Sequence, residues 1–202
     1  DLIEAFLAPE LSTGLIKRER ISYAPGRDNL VLTIGDPNAQ RWLGVDGHMD
    51  VVDAGDPNKW QFPPFSAQIE DGKLYGRGAT DMKSGLAAAV VAFKQIAHEE
   101  LDHGVQLMAT VGEEIDNYGA RQLAAAGYGD RLTGLLVAEP GNSNVDAAER
   151  GIIDYTLTAQ GKAAHSSRPD LGANAIHGLF AFANAALTAT APLQAKDDPI
   201  LG

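Results

Sequence analysis

One imidazole and four carboxylates stand where apolar runs give way to loops: His48, Asp81, Glu113, Glu114 and Glu139. His48 follows Gly44-Val45-Asp46-Gly47 and precedes Met49-Asp50-Val51-Val52. Asp81 follows Tyr75-Gly76-Arg77-Gly78-Ala79-Thr80. The Glu113-Glu114 pair ends the apolar run Val105–Val111, and Glu139 ends Leu135–Ala138. A histidine and several carboxylates converging on one sheet edge would make a first coordination shell for Zn²⁺ or a similar borderline cation.

Each of these residues also has a plainer reading. On a strand that continues past His48, residues i and i+2 share a face. Asp50 would then hold the second imidazole nitrogen, fixing the tautomer and raising ligand basicity. The alternative is a loop histidine beside a solvated aspartate. Asp81 alone would serve as a helix cap. The nearby Gly76 and Gly78 suggest a phosphate loop, but no Gly-Lys-Ser/Thr follows and the third glycine of a dinucleotide fingerprint is missing. Adjacent glutamates usually mark a solvated surface. Directly after a buried-type strand, one of them would be neutralised by a metal and the other left as a general base. His98, His103 and His177 lie on or beside helical patterns and read as surface residues. His165 sits in the polar segment Gly161–Pro169, where the plain reading is again a surface loop.

The elements that would position these groups alternate. Ile3–Leu7 and Leu11–Ile16 read as helix interrupted at Pro9, and Asn29–Ile34 and Trp42–Val45 as strands. Asp53–Pro64 reads as loop. Lys83–Leu101 is an alanine-rich helix pattern closed by Gly104, Val105–Val111 a buried strand, Tyr118–Ala126 a helix stopped by Gly127, and Leu135–Ala138 a strand. This alternation predicts an α/β fold: a mostly parallel sheet with helices on both faces, and a site beyond the carboxyl ends of its strands. The texture changes near Asp146–Ile153. Ile152–Ala159 alternates like a half-solvated strand, and Ala173–Leu187 reads as an amphipathic helix. We therefore expect two domains, residues 1–148 and the start of a smaller α/β domain over 149–202.

Composition narrows the function classes. The chain has 202 residues, 45% apolar, with no cysteine and a formal charge of −11. A packed core is expected. Thiolate sites and disulfides are excluded, in keeping with a reducing cytoplasm. The negative charge argues against nucleic acid or an anionic membrane as partner. Charges or glycines interrupt the apolar runs, so no membrane span is expected. The first residue is Asp1 rather than Met, and Pro199–Gly202 has the character of an interrupted chain, so a truncated chain is expected.

The segments from about Arg27 to about Ile176 resemble the zinc metallopeptidase and amidohydrolase family of aminoacylase, glutamate carboxypeptidase, acetylornithine deacetylase and succinyl-diaminopimelate desuccinylase. The resemblance rests on Gly47-His48-Met49-Asp50-Val51-Val52, Trp60 with Pro64-Phe65, Asp71–Gly78, Asp81–Gly85, Glu113-Glu114, Ala138-Glu139-Pro140 and Gly161 through His165-Ser166, in family order. It implies two Zn²⁺ ions, or Co²⁺ or Mn²⁺. His48 and Glu139 would bind one, Glu114 the other, and Asp81 would bridge them. Asp50 would orient the imidazole and Glu113 would be the general base. The smaller domain would be a lid used for homodimerisation, with His165 reaching the active site of the neighbouring subunit. Family members are roughly twice as long, and a late histidine that completes their second metal site lies beyond the segments matched here.

The implied activity is hydrolysis of the amide bond of an N-acyl amino acid or small peptide, in the manner of acetylornithine deacetylase or succinyl-diaminopimelate desuccinylase. The alternatives are a general di- or exopeptidase and a non-catalytic metal- or ligand-binding protein on the same scaffold. The presence of Glu113 weighs against the last, since a binding protein has no use for the base. Asn142–Asp146 and Glu149-Arg150-Gly151 are candidate substrate contacts.

Overall fold

A computed structural model describes residues 2–115, 117–141, 145, 146, 148, 151 and 155–194. The chain divides into two compact units, Asp1–Ser143 and Asn144–Gly202.

In the first unit a five-stranded sheet has the order β1-β2-β6-β3-β7. Its strands are β1 (Lys17–Ala24), β2 (Arg27–Ile34), β3 (Trp42–His48), β6 (Gly104–Thr110) and β7 (Gly134–Val137). A separate hairpin joins β4 (Gln68–Glu70) to β5 (Lys73–Tyr75). The site-bearing half is parallel, with β3 lying between β6 and β7. The other half is antiparallel, with β2 pairing β6 and β1 pairing β2. The expected α/β architecture is therefore present as a mixed sheet.

Two apolar clusters explain why both faces are covered. Alternate side chains of a strand point to opposite faces. On one face Leu30, Leu32, Ile34, Val105, Leu107 and Ala109 pack with Leu86, Val90 and Phe93 of α3 (Gly85–Ile96). Leu7 joins them from between α1 (Leu2–Phe6) and α2 (Ala8–Thr13). On the other face Val31 and Met108 pack with Leu123 of α4 (Tyr118–Ala125). Every residue of β6 is buried, as a central strand covered on both sides requires. Edge strand β1 was not foreseen, because its Lys17-Arg18-Glu19-Arg20 start reads as solvated chain. Charges of that kind suit an edge strand with little to bury.

Other boundaries move for local reasons. β3 runs three residues further than expected, because its parallel register with β6 continues until His48 pairs Thr110. Helix α3 starts at Gly85 rather than Lys83. Before it comes an irregular turn, Ala79–Ser84, in which Asp81 and Met82 leave helical geometry and share a cis peptide bond.

The second unit contains α5 (Ala175–Gln194) and an isolated bridge between Lys162 and Ala173. The bridge delays the helix to Ala175. Of the expected strand Ile152–Ala159, residues 152–154 lie outside the described residues, and Tyr155–Ala159 do not form one. Tyr155 and Leu157 are exposed, and a strand without a paired neighbour has nothing to hold it. Along Ala175–Leu193 the mean hydropathy is 1.2, so α5 is by length and composition a helix that could cross a membrane. This corrects the expectation that no such stretch exists, since the run carries no Asp, Glu, Lys or Arg, although His177, Gly178, Asn184 and Pro192 fall within it.

Gly85 sets how closely α3 approaches β7. A Cβ built there would lie 1.8 Å from the carbonyl oxygen of Ala138, the residue before Glu139. That oxygen is backbone and cannot swing aside. Gly85→Ala should therefore push α3 off the strand end and cost roughly 1–3 kcal/mol of stability, the scale of an overpacked core. A urea midpoint unchanged from wild type would contradict this close approach.

Candidate metal centre

His48 is the last residue of β3 and is 1% exposed. Its backbone N–H donates to the Sδ of buried Met82 at 3.0 Å, which ties the strand end to the irregular turn carrying Asp81. Its ring Nδ1 lies 2.9 Å from the backbone carbonyl oxygen of Asp50. A carbonyl can only accept, so Nδ1 carries its hydrogen and Nε2 is the nitrogen free to ligate. Nε2 faces Asp81 Oδ1 at 3.1 Å, Glu139 Oε1 at 3.4 Å and Glu113 Oε2 at 3.9 Å.

Asp50 holds the ring differently from expectation. The carbonyl, not the carboxylate, takes the closer bond to Nδ1; the carboxylate Oδ1 is 3.7 Å away. The carboxylate instead accepts backbone N–H bonds from Gly112 at 2.9 Å, Glu113 at 3.3 Å and Glu114 at 3.3 Å. One residue thus fixes both the imidazole and the short turn Glu113–Ile115. The reason lies in chain direction. Met49 still pairs with Thr110 at the sheet edge, and the chain then turns Asp50 across the end of β6.

The remaining carboxylates arrive from three other places. Asp81 comes from the turn before α3, Glu113 and Glu114 from the turn after β6, and Glu139 from two residues past β7. The N–H of Val52 donates to Glu114 Oε1 at 3.2 Å. Ligand atoms of His48, Asp81 and Glu114 lie within 4.8 Å of one another, as do those of His48, Glu113 and Glu139. The two groups share the imidazole. All six candidates from the first unit are therefore brought together.

The electrostatics are those of crowded acids. Burial raises the Glu113 carboxyl above its usual range; His48 opposes this, and Glu114, Asp50 and Asp81 add to it. Glu139 is raised in the same way, by burial first and then by Asp81, Glu113 and Glu114 against the pull of His48. Burial works to lower the His48 value, but the bond to Asp81 and the charge of Glu139 leave it raised. Beneath the cluster Asp46 is pushed up to about 6, chiefly by burial, with bonds from Thr110 and Gly47 opposing. A divalent cation would relieve this repulsion, and one imidazole with several carboxylates is a donor set that suits Zn²⁺. The residues present fit such an ion.

Sequence reasoning missed Met82 and Asp46 beneath the imidazole. Asp46 lies two residues before His48 on β3, and Met82 is brought in from the turn before α3 by its contact with the His48 N–H; no spacing rule marks either. His165 belongs to the second unit, where it is exposed and its Nδ1 lies 2.9 Å from Ser167 Oγ. Among the candidate substrate contacts, residues 142–144, 149 and 150 lie outside the described residues, and Val145, Asp146 and Gly151 are exposed.

Comparison with known proteins places this geometry. The model of peptidase family M20/M25/M40 matches residues 44–199. A probable succinyl-diaminopimelate desuccinylase of Staphylococcus epidermidis is 45% identical over 181 residues, covering 89% of this chain and 44% of that protein. The succinyl-diaminopimelate desuccinylase of Cereibacter sphaeroides is 33% identical over 192 residues, covering 86% of this chain and 50% of that one. The chain thus spans about half the length of these curated relatives. Among solved structures, the M20 family metallo-carboxypeptidase Sso-CP2 of Sulfolobus solfataricus aligns with TM-score 0.56 and 25% identity, over 69% of this chain and 30% of that one. A tripeptidase of Staphylococcus aureus aligns with TM-score 0.51 and 22% identity, over 87% and 48%, and shares the fold. With the family model covering most of the chain and the motif residues gathered at one sheet edge, this chain belongs to peptidase family M20/M25/M40.

Proposed function

We propose that the whole protein is a metal-dependent amidohydrolase that cleaves the amide bond of an N-acyl amino acid or small peptide. Acetylornithine deacetylase and succinyl-diaminopimelate desuccinylase are the nearest kinds of activity. The observation that carries this reading is the convergence of Asp81, Glu113 and Glu139 on His48 Nε2, with Glu114 in the same cluster. His48 and Glu139 would hold one Zn²⁺, Glu114 a second, and Asp81 would bridge them, with Co²⁺ or Mn²⁺ as substitutes. When bound, such ions supply Lewis-acid polarisation of the scissile carbonyl and ease ionisation of the attacking water.

The chain's own residues do the rest. Asp50 holds the imidazole through its carbonyl and the glutamate turn through its carboxylate, so ligand and base keep a fixed separation. Glu113 takes the proton of the attacking water and delivers it to the leaving amine. A carboxylate held beside the attacking water is the kind of group that performs this exchange. Residues 1–148 form the catalytic domain and residues 149–202 the first part of a lid through which the protein dimerises. His165 of the partner subunit would stabilise the oxyanion formed at the carbonyl carbon. A cytoplasmic setting accords with a chain that has no cysteine. A second reading, a di- or exopeptidase, is supported by the likeness to a metallo-carboxypeptidase.

The ligand assignment is tested by metal content. Asp81→Ala removes the bridge, so elemental analysis should find both ions lost, whereas Glu114→Ala should mainly deplete the second. Equal metal in wild type and Asp81→Ala would defeat the assignment. The base is tested separately. Glu113→Gln keeps size and metal but should lower turnover by roughly 10²–10⁴-fold; near-normal turnover at normal metal content would assign the proton to another group. For the lid, His165→Ala should lower turnover by roughly 10²–10³-fold with metal intact. Mixing it with Asp81→Ala should restore some activity through hybrid dimers, and the absence of any such rescue would count against a shared site.

A further inference from the structure

Two side chains hold the backbone that carries Glu113 and Glu114. One is Asp50, whose carboxylate takes the N–H groups of Gly112, Glu113 and Glu114. The other is Asn29 of β2. The ladder between β2 and β6 ends at the pair Leu30–Ala109, so the Val111 N–H, one residue past β6, lies beyond it. That N–H donates instead to Asn29 Oδ1 at 3.0 Å. Asn29 is fully buried, and its amide is itself held. Its Nδ2 donates to Gln122 Oε1 at 2.9 Å, and Gln122 Nε2 donates to the carbonyl of Ser22 on β1 at 2.9 Å. Every N–H from Val111 to Glu114 is therefore bound by Asn29 or Asp50. The carbonyls are bound as well. Val111 O accepts from Gly119 at 2.8 Å, Gly112 O from Tyr118 at 3.1 Å and Glu113 O from Asn117 at 3.2 Å. At Gly119 an added Cβ would lie 2.3 Å from Asn29 Oδ1, so α4 sits directly against the amide.

We propose that Asn29 is a positioning residue for the reaction: its amide fixes the exit of β6 and so aims Glu113, with Glu114 beside it, at the His48 cluster. The role of Glu113 as base rests on the amidohydrolase reading, whereas the anchoring does not. Filling a core position needs only hydrocarbon of the right size. Asn29 adds an acceptor for the N–H that the ladder leaves behind, and a donor through which Gln122 fixes the direction of that acceptor. A buried N–H stripped of its acceptor is costly. Without the amide, the backbone at Val111 shifts to find another partner, and the carboxylates two and three residues further on shift with it. Asp50 does not make up the loss, because its carboxylate already accepts from Gly112, Glu113 and Glu114. A misplacement of about 1 Å at a reacting group costs on the order of 10²-fold in rate.

The test compares two variants of the whole protein. Asn29→Leu keeps the bulk and removes both polar ends. Asn29→Asp keeps an acceptor for Val111, and Gln122 can turn its amide to donate to the new carboxylate by giving up Ser22. Hydrogen exchange of the metal-free protein, followed by mass spectrometry, reads the anchor. In Asn29→Leu, exchange across Val111–Ile115 should quicken about tenfold, while segments from β3 and α3 stay near wild type. Asn29→Asp should return most of that protection. Turnover of N-succinyl-diaminopimelate and N-acetylornithine by the metal-loaded protein reads the consequence. The kcat of Asn29→Leu should fall by about 10–100-fold with KM little changed, and Asn29→Asp should recover most of it. Unchanged exchange across Val111–Ile115, quickening spread evenly over the sheet, an aspartate variant no better than the leucine one, or an unaltered kcat would overturn the positioning role. Should Asn29→Leu fail to fold, Gln122→Ala, at a half-buried position, removes only the group that orients the amide. It should quicken exchange in the same segment by a smaller factor, and no change there would overturn the anchor. If wild type cleaves neither compound, the amidohydrolase reading falls and the exchange pattern alone decides the anchor.

Discussion

Five carboxylates, those of Asp50, Asp81, Glu113, Glu114 and Glu139, gather around one buried imidazole, and like charges do not gather unless the backbone compels them. The compulsion here is mostly hydrogen bonding to the main chain. Asp50 spends its carboxylate on three N–H groups of the glutamate turn, and Glu114 takes the N–H of Val52. Met82 holds the N–H of His48 from the turn that carries Asp81. The parallel register of β3 with β6 and β7 then decides that these turns emerge side by side. A site of this type is prearranged for a cation, since the repulsion is already built into the folded chain and binding releases it.

Much of this was legible beforehand, for a physical reason. A parallel α/β sheet collects its polar residues at the carboxyl ends of strands, so an acid that terminates an apolar run announces its location. That logic pointed to His48, Glu113, Glu114 and Glu139, which stand at or just past the ends of β3, β6 and β7, whereas Asp81, in the turn before α3, was assigned only through the family resemblance. Spacing did not find the division of labour within Asp50, because i, i+2 spacing locates a side chain only while the strand stays regular, and the chain leaves the sheet at that residue. Nor could it find Met82 or Asp46, which no spacing rule marks. The charged strand Lys17–Ala24 was illegible for the opposite reason: an edge strand needs no alternating pattern when it has so little to cover.

The two units differ in how far their own residues account for them. In the first, alternate sides of β2 and β6 feed two separate apolar clusters, and α3 and α4 are the natural covers of each. In the second, the apolar side chains of α5, among them Ile176, Phe180 and Phe182, are exposed within the chain described here. Its loops are fastened by short-range contacts such as the Arg168–Asp170 ion pair, which is exposed on both sides and contributes little.

Strand β7 has a further consequence for the behaviour of this polypeptide in solution. It is a sheet edge, and Leu135, Leu136 and Val137 are each about half exposed, on alternate faces. Its outer ladder groups have no partner strand among the described residues, so hydrogen-bonding capacity and apolar surface are presented together. Such an edge is a template for strand addition, and copies of the chain can satisfy it with one another. The formal charge of −11 works against that by mutual repulsion, but the repulsion between exposed charges is screened over about 8 Å at physiological salt. Raising the ionic strength therefore weakens the repulsion that guards this edge and shifts the balance from colloidal dispersal toward strand addition at β7.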